Sequence, residues 1–173
     1  MTTKSPPRLG FCAYSGTGKT TLLTALLPLL KARNVKVGVI KHAHHAFDTD
    51  QPGKDSYELR KAGARQMLVS SARRRALITE LDEGEAEAGL EDLISQLDHN
   101  DLDLILIEGF KHVAFPKIEL HRPELGKPLM YPEDKNVIAL ATKGASPADA
   151  AIPVLNLDKP DEILDFILDR FVQ

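Results

Sequence analysis

Residues 13 to 20 read Ala-Tyr-Ser-Gly-Thr-Gly-Lys-Thr, an A-x-x-x-x-G-K-T pattern that is the phosphate-loop pattern with alanine where the stricter form has glycine. Gly16 and Gly18 can adopt backbone angles that aim successive N–H groups inward and admit a phosphate without a Cβ clash. A following helix N-terminus completes an anion cradle. Within it Thr17 lies between the glycines, Lys19 is spaced to reach β and γ phosphates as a point charge, and Thr20 to offer its hydroxyl to Mg²⁺. Thr21 suits the α phosphate or the helix start. From average residue usage the relaxed pattern arises by chance in on the order of one in a hundred chains of this length, so its context must carry the assignment.

A magnesium-nucleotide site also needs an acid. Glu108 ends a run in which Leu104 to Ile107 are all apolar, where a buried strand emerges at its C-terminal end. Aspartate is the usual residue at such a position; the longer glutamate arm suits holding Mg²⁺ through water, or polarising one. Asp103 starts the same run, about 16 Å earlier at roughly 3.3 Å per residue, and so falls at the wrong end of a sheet.

A second loop, "KHAHHAFDTDQPGKD" from 41 to 55, offers further chemistry. Asp48 or Asp50 could reach a magnesium shell, and Lys41, His42 and Lys54 could meet an anionic ligand. His42, His44 and His45 could bind a transition metal, although no cysteine accompanies them and their spacing fits no closed zinc pattern. Taken singly, each of these residues reads equally well as part of a solvated polar loop.

The elements that must position these residues follow from the hydrophobic pattern. "RLGFCAY" (8 to 14) is a short apolar run leading into the glycine loop, which predicts a buried strand. Leucines at 22, 23, 26, 27, 29 and 30 predict a helix that ends near Asn34, with Pro28 expected to kink or stop it. "KVGVIKH" (36 to 42) predicts a second strand, so strand, loop, helix and strand imply a parallel pair and an α/β fold. Beyond these come a short helix at 55 to 63 and two strands around a turn at Ala72 to Arg74. The acidic stretch is expected to be helical from about Glu85 to Asn100, its run from Asp82 to Glu91 being a solvated helix entrance. Strands are expected at 102 to 109, 116 to 122, 136 to 142 and in "IPVLN", with a terminal helix that has Pro160 near its first turn. The whole predicts a three-layer α/β fold, a mostly parallel sheet flanked by helices, in a single domain spanning 1–173.

Composition removes several classes of function. Twenty-five acidic residues against 22 Lys and Arg give a net charge of −3, so no overall basic field exists to hold nucleic acid or an anionic membrane. The single cysteine, Cys12, has no internal partner and lies in an apolar segment, which suits an inert buried thiol in a reducing cytoplasm. With no signal-like or membrane-length apolar stretch, a soluble, unprocessed chain is expected.

"AYSGTGKTTLL", "VIKHAHH", "PGKDSYELRKAGA", "ALITE" and "LDLILIEGFKH" resemble, in order and spacing, the molybdopterin-guanine dinucleotide biosynthesis protein B (MobB) family over residues 8 to 112. The resemblance implies a P-loop NTPase fold and a GTP-binding homodimer with weak Mg²⁺-dependent hydrolysis. Such a protein assists a MobA-type molybdopterin guanylyltransferase in attaching GMP to molybdopterin. It also places GTP binding on Gly16, Thr17, Gly18, Lys19 and Thr20, then on Asp48 and on Leu77, Ile78, Thr79 and Glu80, which makes Glu80 a site acid beside Glu108. Guanine selection is not evident in the residues: an N/T-K-x-D motif needs an acid where "TKGA" (142 to 145) has alanine, and "NLDK" (156 to 159) arranges its acid differently.

Two other classes share the phosphate loop. A small-molecule kinase would use "SARRRAL" (71 to 77) as a phosphate clamp, although Arg73 to Arg75 read more simply as a solvated turn. A nucleotide-gated metal chaperone would use the histidine loop. No arginine is tied by local spacing to the phosphate loop, so slow hydrolysis is expected, an arginine finger alone contributing about 10³ to 10⁵ fold.

Overall fold

The computed structural model describes residues 5–43, 47–144 and 150–172. The chain divides into two compact units, Met1–His42 with Gly89–Gln173, and Ala43–Ala88.

The first unit is built on a six-stranded sheet of order β2-β5-β1-β6-β7-β8 in which each paired neighbour runs parallel. Its strands are β1 (Arg8–Ala13), β2 (Val37–Lys41), β5 (Leu104–Glu108), β6 (Lys117–His121), β7 (Val137–Thr142) and β8 (Val154–Asn156). Parallel strands covered on both faces require apolar residues at successive positions, and Leu104 to Ile107 are all fully buried. Leu104 and Leu106 pack with Leu9, Phe11, Ile118 and Leu120 beneath α1 (Lys19–Ala32) and α4 (Pro160–Phe171). Ile105 and Ile107 point the other way, onto Phe115 and onto Leu90 and Ile94 of α3 (Leu90–Ser95). The period-two alternation of β5 thus divides the core between two layers, and the expected three-layer architecture is observed.

Helix α1 buries Leu22, Leu23, Leu26 and Leu30, one stripe at helical spacing. It does not stop at Pro28. That residue and Thr24, whose carbonyl the missing N–H would have met, are both exposed, so water can take the orphaned acceptor. The expected helix from Glu85 to Asn100 is also corrected, because α3 covers only Leu90–Ser95, with a separate 3₁₀ turn at His99–Asp101. The acidic residues before Leu90 carry no buried stripe, and Glu85 is engaged elsewhere, accepting from Asp82 N at 3.0 Å and Arg65 Nη2 at 2.7 Å.

The second unit holds α2 (Asp55–Lys61) and an antiparallel hairpin of β3 (Gln66–Ser70) and β4 (Arg75–Thr79). The turn expected at 72 to 74 is present. Ser71 N donates to the Arg74 carbonyl at 2.8 Å and the Ser71 hydroxyl accepts from Arg74 N at 3.1 Å, leaving Arg73, Arg74 and Arg75 exposed. Leu68 and Leu77 sit opposite each other across the hairpin, 62% and 60% exposed.

Candidate functional site

Every strand of the parallel sheet ends on the same edge, and the register gathers the charged residues there. Phe11 of β1 and Lys41 of β2 both lie level with Glu108 of β5. The phosphate loop therefore leaves β1 beside the acid that ends β5. Lys19 Nζ lies 3.6 Å from Glu108 Oε1, and Lys41 Nζ lies 3.7 Å from Oε2. Glu108 is thus brought beside Lys19, while Lys41 faces the same carboxylate. Asp103 is at the far end: its carboxylate accepts from Lys36 N at 2.7 Å, beside the start of β2.

The loop fits a phosphate by its backbone. Gly16 and Gly18 have φ of 81° and 97°, in the left-handed region that glycine adopts without strain. A Cβ added at Gly16 would meet nothing within 4 Å, so it is the backbone angle and not space that favours glycine there. Thr17 is 2% exposed, its hydroxyl donating to the Tyr14 carbonyl at 2.8 Å, which pins the loop from beneath rather than offering that hydroxyl to a ligand. Thr20 and Thr21 lie on the exposed side of the first turn of α1. Thr20 and Glu108 are hard oxygen donors of the kind Mg²⁺ takes.

One residue here escapes local spacing. Arg122, just after β6, donates through Nε to the Thr17 carbonyl at 2.7 Å, and its Nη1 lies 3.5 Å from Glu124 Oε1. An arginine is therefore tied to the phosphate loop through the fold, where local spacing along the sequence offered none. The contact spans 105 positions and follows from β6 pairing with β1 so that Leu120 lies level with Ala13. The available signal was an apolar strand that ends in arginine next to the strand that feeds the loop.

The turn after β5 is an elbow. Gly109 and Phe110 have φ of 106° and 51°, and a Cβ at Gly109 would stand 2.5 Å from His42 Cβ. The His42 ring packs on Phe110 with centroids 4.8 Å apart, and its backbone N–H donates to the Glu108 carbonyl at 2.8 Å. His42 thereby braces the chain that presents Glu108. His44 and His45 lie outside the described residues, and among those described no cluster of three or more His, Cys, Asp or Glu could hold a metal ion.

Behind the loop, two charged side chains are buried, Lys117 and Glu119. Lys117, 2% exposed, donates from Nζ to the Val113 carbonyl and to Asp134 Oδ2, both at 2.9 Å. Burial pushes the Asp134 carboxyl up, but hydrogen bonds from Lys117 and Asn136 outweigh it and leave the group below the ordinary range. Glu119 accepts from Met130 N and Tyr131 N, each at 2.8 Å, yet burial raises its pKa. Burial first, then the Glu119 charge, push the Cys12 thiol up to about 12, so the sequence reading of an inert sulfur holds. A cavity of about 530 Å³ beside Tyr14 is lined by Cys12, Lys111, His112, Met130 and Pro132. Another of about 480 Å³, lined by Pro6, Pro7, Asp103 and Phe171, lies at the opposite end of the strands from this chemistry.

In the second unit Asp48 and Glu80 are brought together by a residue that sequence reasoning did not single out. Arg60, its side chain 4% exposed, bonds Glu80 through Nη1 and Asp48 through Nη2 at 2.7 Å, with Asp50 at 3.6 Å from Nε. Hydrogen bonding by Asp50 N and by Arg60 holds the Asp48 carboxyl below its ordinary value despite desolvation. Leu77, Ile78 and Thr79 lie on β4, and Lys54 is the residue that precedes α2.

The family model described as molybdopterin guanine dinucleotide synthesis protein B matches residues 8–143. The chain is 48% identical over 164 residues to the molybdopterin-guanine dinucleotide biosynthesis adapter protein of Escherichia coli (strain K12), covering 94% of this chain and 92% of that protein. It is 43% identical over 162 residues to the protein of the same name from Haemophilus influenzae, covering 93% and 87%. Among solved structures, a crystal structure of molybdopterin-guanine biosynthesis protein B (mobB) matches with a TM-score of 0.74 at 24% identity, over 96% of this chain and 99% of that one, which shows a shared fold. The Bacillus subtilis MobB crystal structure matches with a TM-score of 0.72 at 25% identity, over 95% and 98%.

Proposed function

Because the chain belongs to the molybdopterin guanine dinucleotide synthesis protein B family, we propose that it is a GTP-binding adapter of molybdenum cofactor biosynthesis, which assists a MobA-type guanylyltransferase in attaching GMP to molybdopterin. The observation that supports this most directly is the apposition of Lys19 and Glu108, 3.6 Å apart beside two left-handed glycines at the carboxyl ends of parallel strands.

In this reading Lys19 exchanges its carboxylate partner for the β and γ phosphates, while loop N–H groups and the start of α1 hold the remaining phosphate charge. Thr20 and Glu108 would hold Mg²⁺, which supplies neutralisation of the phosphate oxygens when bound. Arg122 gives its Nε–H to the Thr17 carbonyl and so fixes the loop, and it is the arginine this reading places there. Isolated turnover should stay well below about 1 per second.

A homodimer acting in the cytoplasm completes the proposal. A two-stranded hairpin is marginal by itself, and Leu68 and Leu77, exposed on β3 and β4, suit burial against a second copy. The test is GMP attachment to molybdopterin by the partner enzyme at limiting GTP, with and without this protein. Acceleration that disappears in Lys19→Ala is expected, whereas an unchanged rate, or ATP binding as tight as GTP, sinks the reading.

A further inference from the structure

The phosphate loop explains how a triphosphate is held and says nothing of its base. The sheet shows where the base would lie. From β1 the order runs to β6, β7 and β8, so the ends of β7 and β8 stand about 10 and 14 Å along the same edge, at about 4.8 Å per strand. A nucleotide with its phosphates on the loop can lay its base along that edge.

The two segments that looked incomplete in sequence meet at this point. Thr142 of β7 lies level with Asn156 of β8, and Leu157 N donates to the Thr142 carbonyl at 2.9 Å. The turn after β8 is held in shape because Asp158 N donates to Asn156 Oδ1 at 2.9 Å and Lys159 N to the Asn156 carbonyl at 3.0 Å. It presents Asp158 across the strand ends, where its Oδ2 lies 3.5 Å from Lys143 Nζ, both side chains being about half exposed. A cavity of about 200 Å³ adjoins, lined by Thr142, Gly144, Asn156 and Glu162. In its wall the Thr142 hydroxyl oxygen is buried with no hydrogen-bond partner among the described residues, and such groups are rare enough to call for a ligand or another explanation. An acid absent from "TKGA" thus stands beside Lys143, offered by the turn after β8.

We infer that the ends of β7 and β8 form a guanine-reading subsite in which Asp158 accepts hydrogen bonds from the base and Lys143 orients it. The inference rests on the GTP-binding reading above and deepens it. Guanine presents two adjacent donors, N1–H and the 2-amino group, which one carboxylate accepts together. Adenine presents an unprotonated N1 and no 2-amino group, so the same carboxylate would face a lone pair. A hydrogen-bonded contact of this kind discriminates by mismatch as much as by attraction.

The test is titration of the full chain with GTP, XTP and ATP, each with Mg²⁺, for wild type, Asp158→Asn, Asp161→Asn and Lys19→Ala. Xanthine carries a carbonyl oxygen where guanine carries its amino group, so the amide that Asp158→Asn introduces can donate to it. Asp158→Asn should lose GTP affinity and gain XTP affinity, each by a factor of about 10 to 150, the range for hydrogen bonds to charged groups. A gain for XTP cannot come from misfolding. Asp161→Asn, an exposed acid in the first turn of α4, should leave all three affinities as they were. If wild type prefers GTP, and Lys19→Ala abolishes binding, while Asp158→Asn leaves the preference intact or lowers all three nucleotides equally, the subsite is overturned and the GTP reading stands. If wild type binds ATP as tightly as GTP, both fail.

Discussion

Replacing Glu108 with glutamine keeps the side chain's shape and removes its charge, which isolates what the carboxylate does to Lys19. At their separation of 3.6 Å, two unit charges attract by about 1 kcal/mol at the dielectric constant of water and by about 5 kcal/mol at an effective value of 20. Measured exposed pairs contribute only about 0.2–1 kcal/mol. With Glu108 17% and Lys19 24% exposed, the upper end of the measured range applies, about 1 kcal/mol, or about fivefold in a binding constant. A phosphate must draw Lys19 away from this partner. Glu108→Gln should therefore bind GTP about fivefold tighter in EDTA, and should lose the gain that Mg²⁺ gives the wild type. Lys41→Met provides the converse, because it removes the second cation, 3.7 Å from the same carboxylate, and leaves Glu108 to hold Lys19 more firmly. Its Mg²⁺-free affinity should fall. Titration calorimetry in EDTA and in excess Mg²⁺ reads both. Weaker Mg²⁺-free binding by Glu108→Gln, or an intact Mg²⁺ gain, would refute the role given to this acid.

Arg122→Met should lower nucleotide affinity about tenfold while reducing stability by only about 1–2 kcal/mol, since a charged hydrogen bond to the Thr17 carbonyl is lost from a partly exposed side chain; unchanged affinity would show that the loop holds its shape unaided. Lys117→Met should cost about 3–5 kcal/mol in urea unfolding by stranding Asp134, and a loss under about 1 kcal/mol would count against a working buried pair. Because the Asp134 carboxyl lies below its ordinary 3.8 when folded, the unfolded chain takes up the proton first as pH falls. The contribution of the pair is complete above about pH 5, starts to fall as pH nears the ordinary 3.8 and is lost only as pH drops through the lower folded value, so wild type and Lys117→Met should converge in stability in strong acid. Cys12, at about 12 against an ordinary 9.0, should react with iodoacetamide at pH 8 about a thousandfold more slowly than an exposed thiol; reaction at the free-thiol rate in the folded protein would contradict that burial.

Much of the fold was readable because its signals are local. The six parallel strands appear as short apolar runs, α1 as a leucine stripe, and the hairpin as two strands around a serine-arginine turn. Where local signals conflicted, packing decided: Pro28 sits on a face open to water and does not end α1, and the acidic stretch before Leu90 finds no core to hold it as helix. Lys19 and Glu108 were legible from the motif and from the position of an acid at the end of a buried strand.

The sequence by itself determined the chemistry available: a glycine-rich anion cradle, a lysine and threonine at fixed offsets, and acids at strand ends, all set by spacing along one chain. Tertiary structure decided which distant groups share an edge. Arg122 reaches Thr17 and Asp158 reaches Lys143 only because parallel strands β1, β6, β7 and β8 stack in that order with a set register. Parallel pairing joins residues far apart in sequence through crossovers, so which residues meet at the strand ends depends on strand order, a property of the packed core.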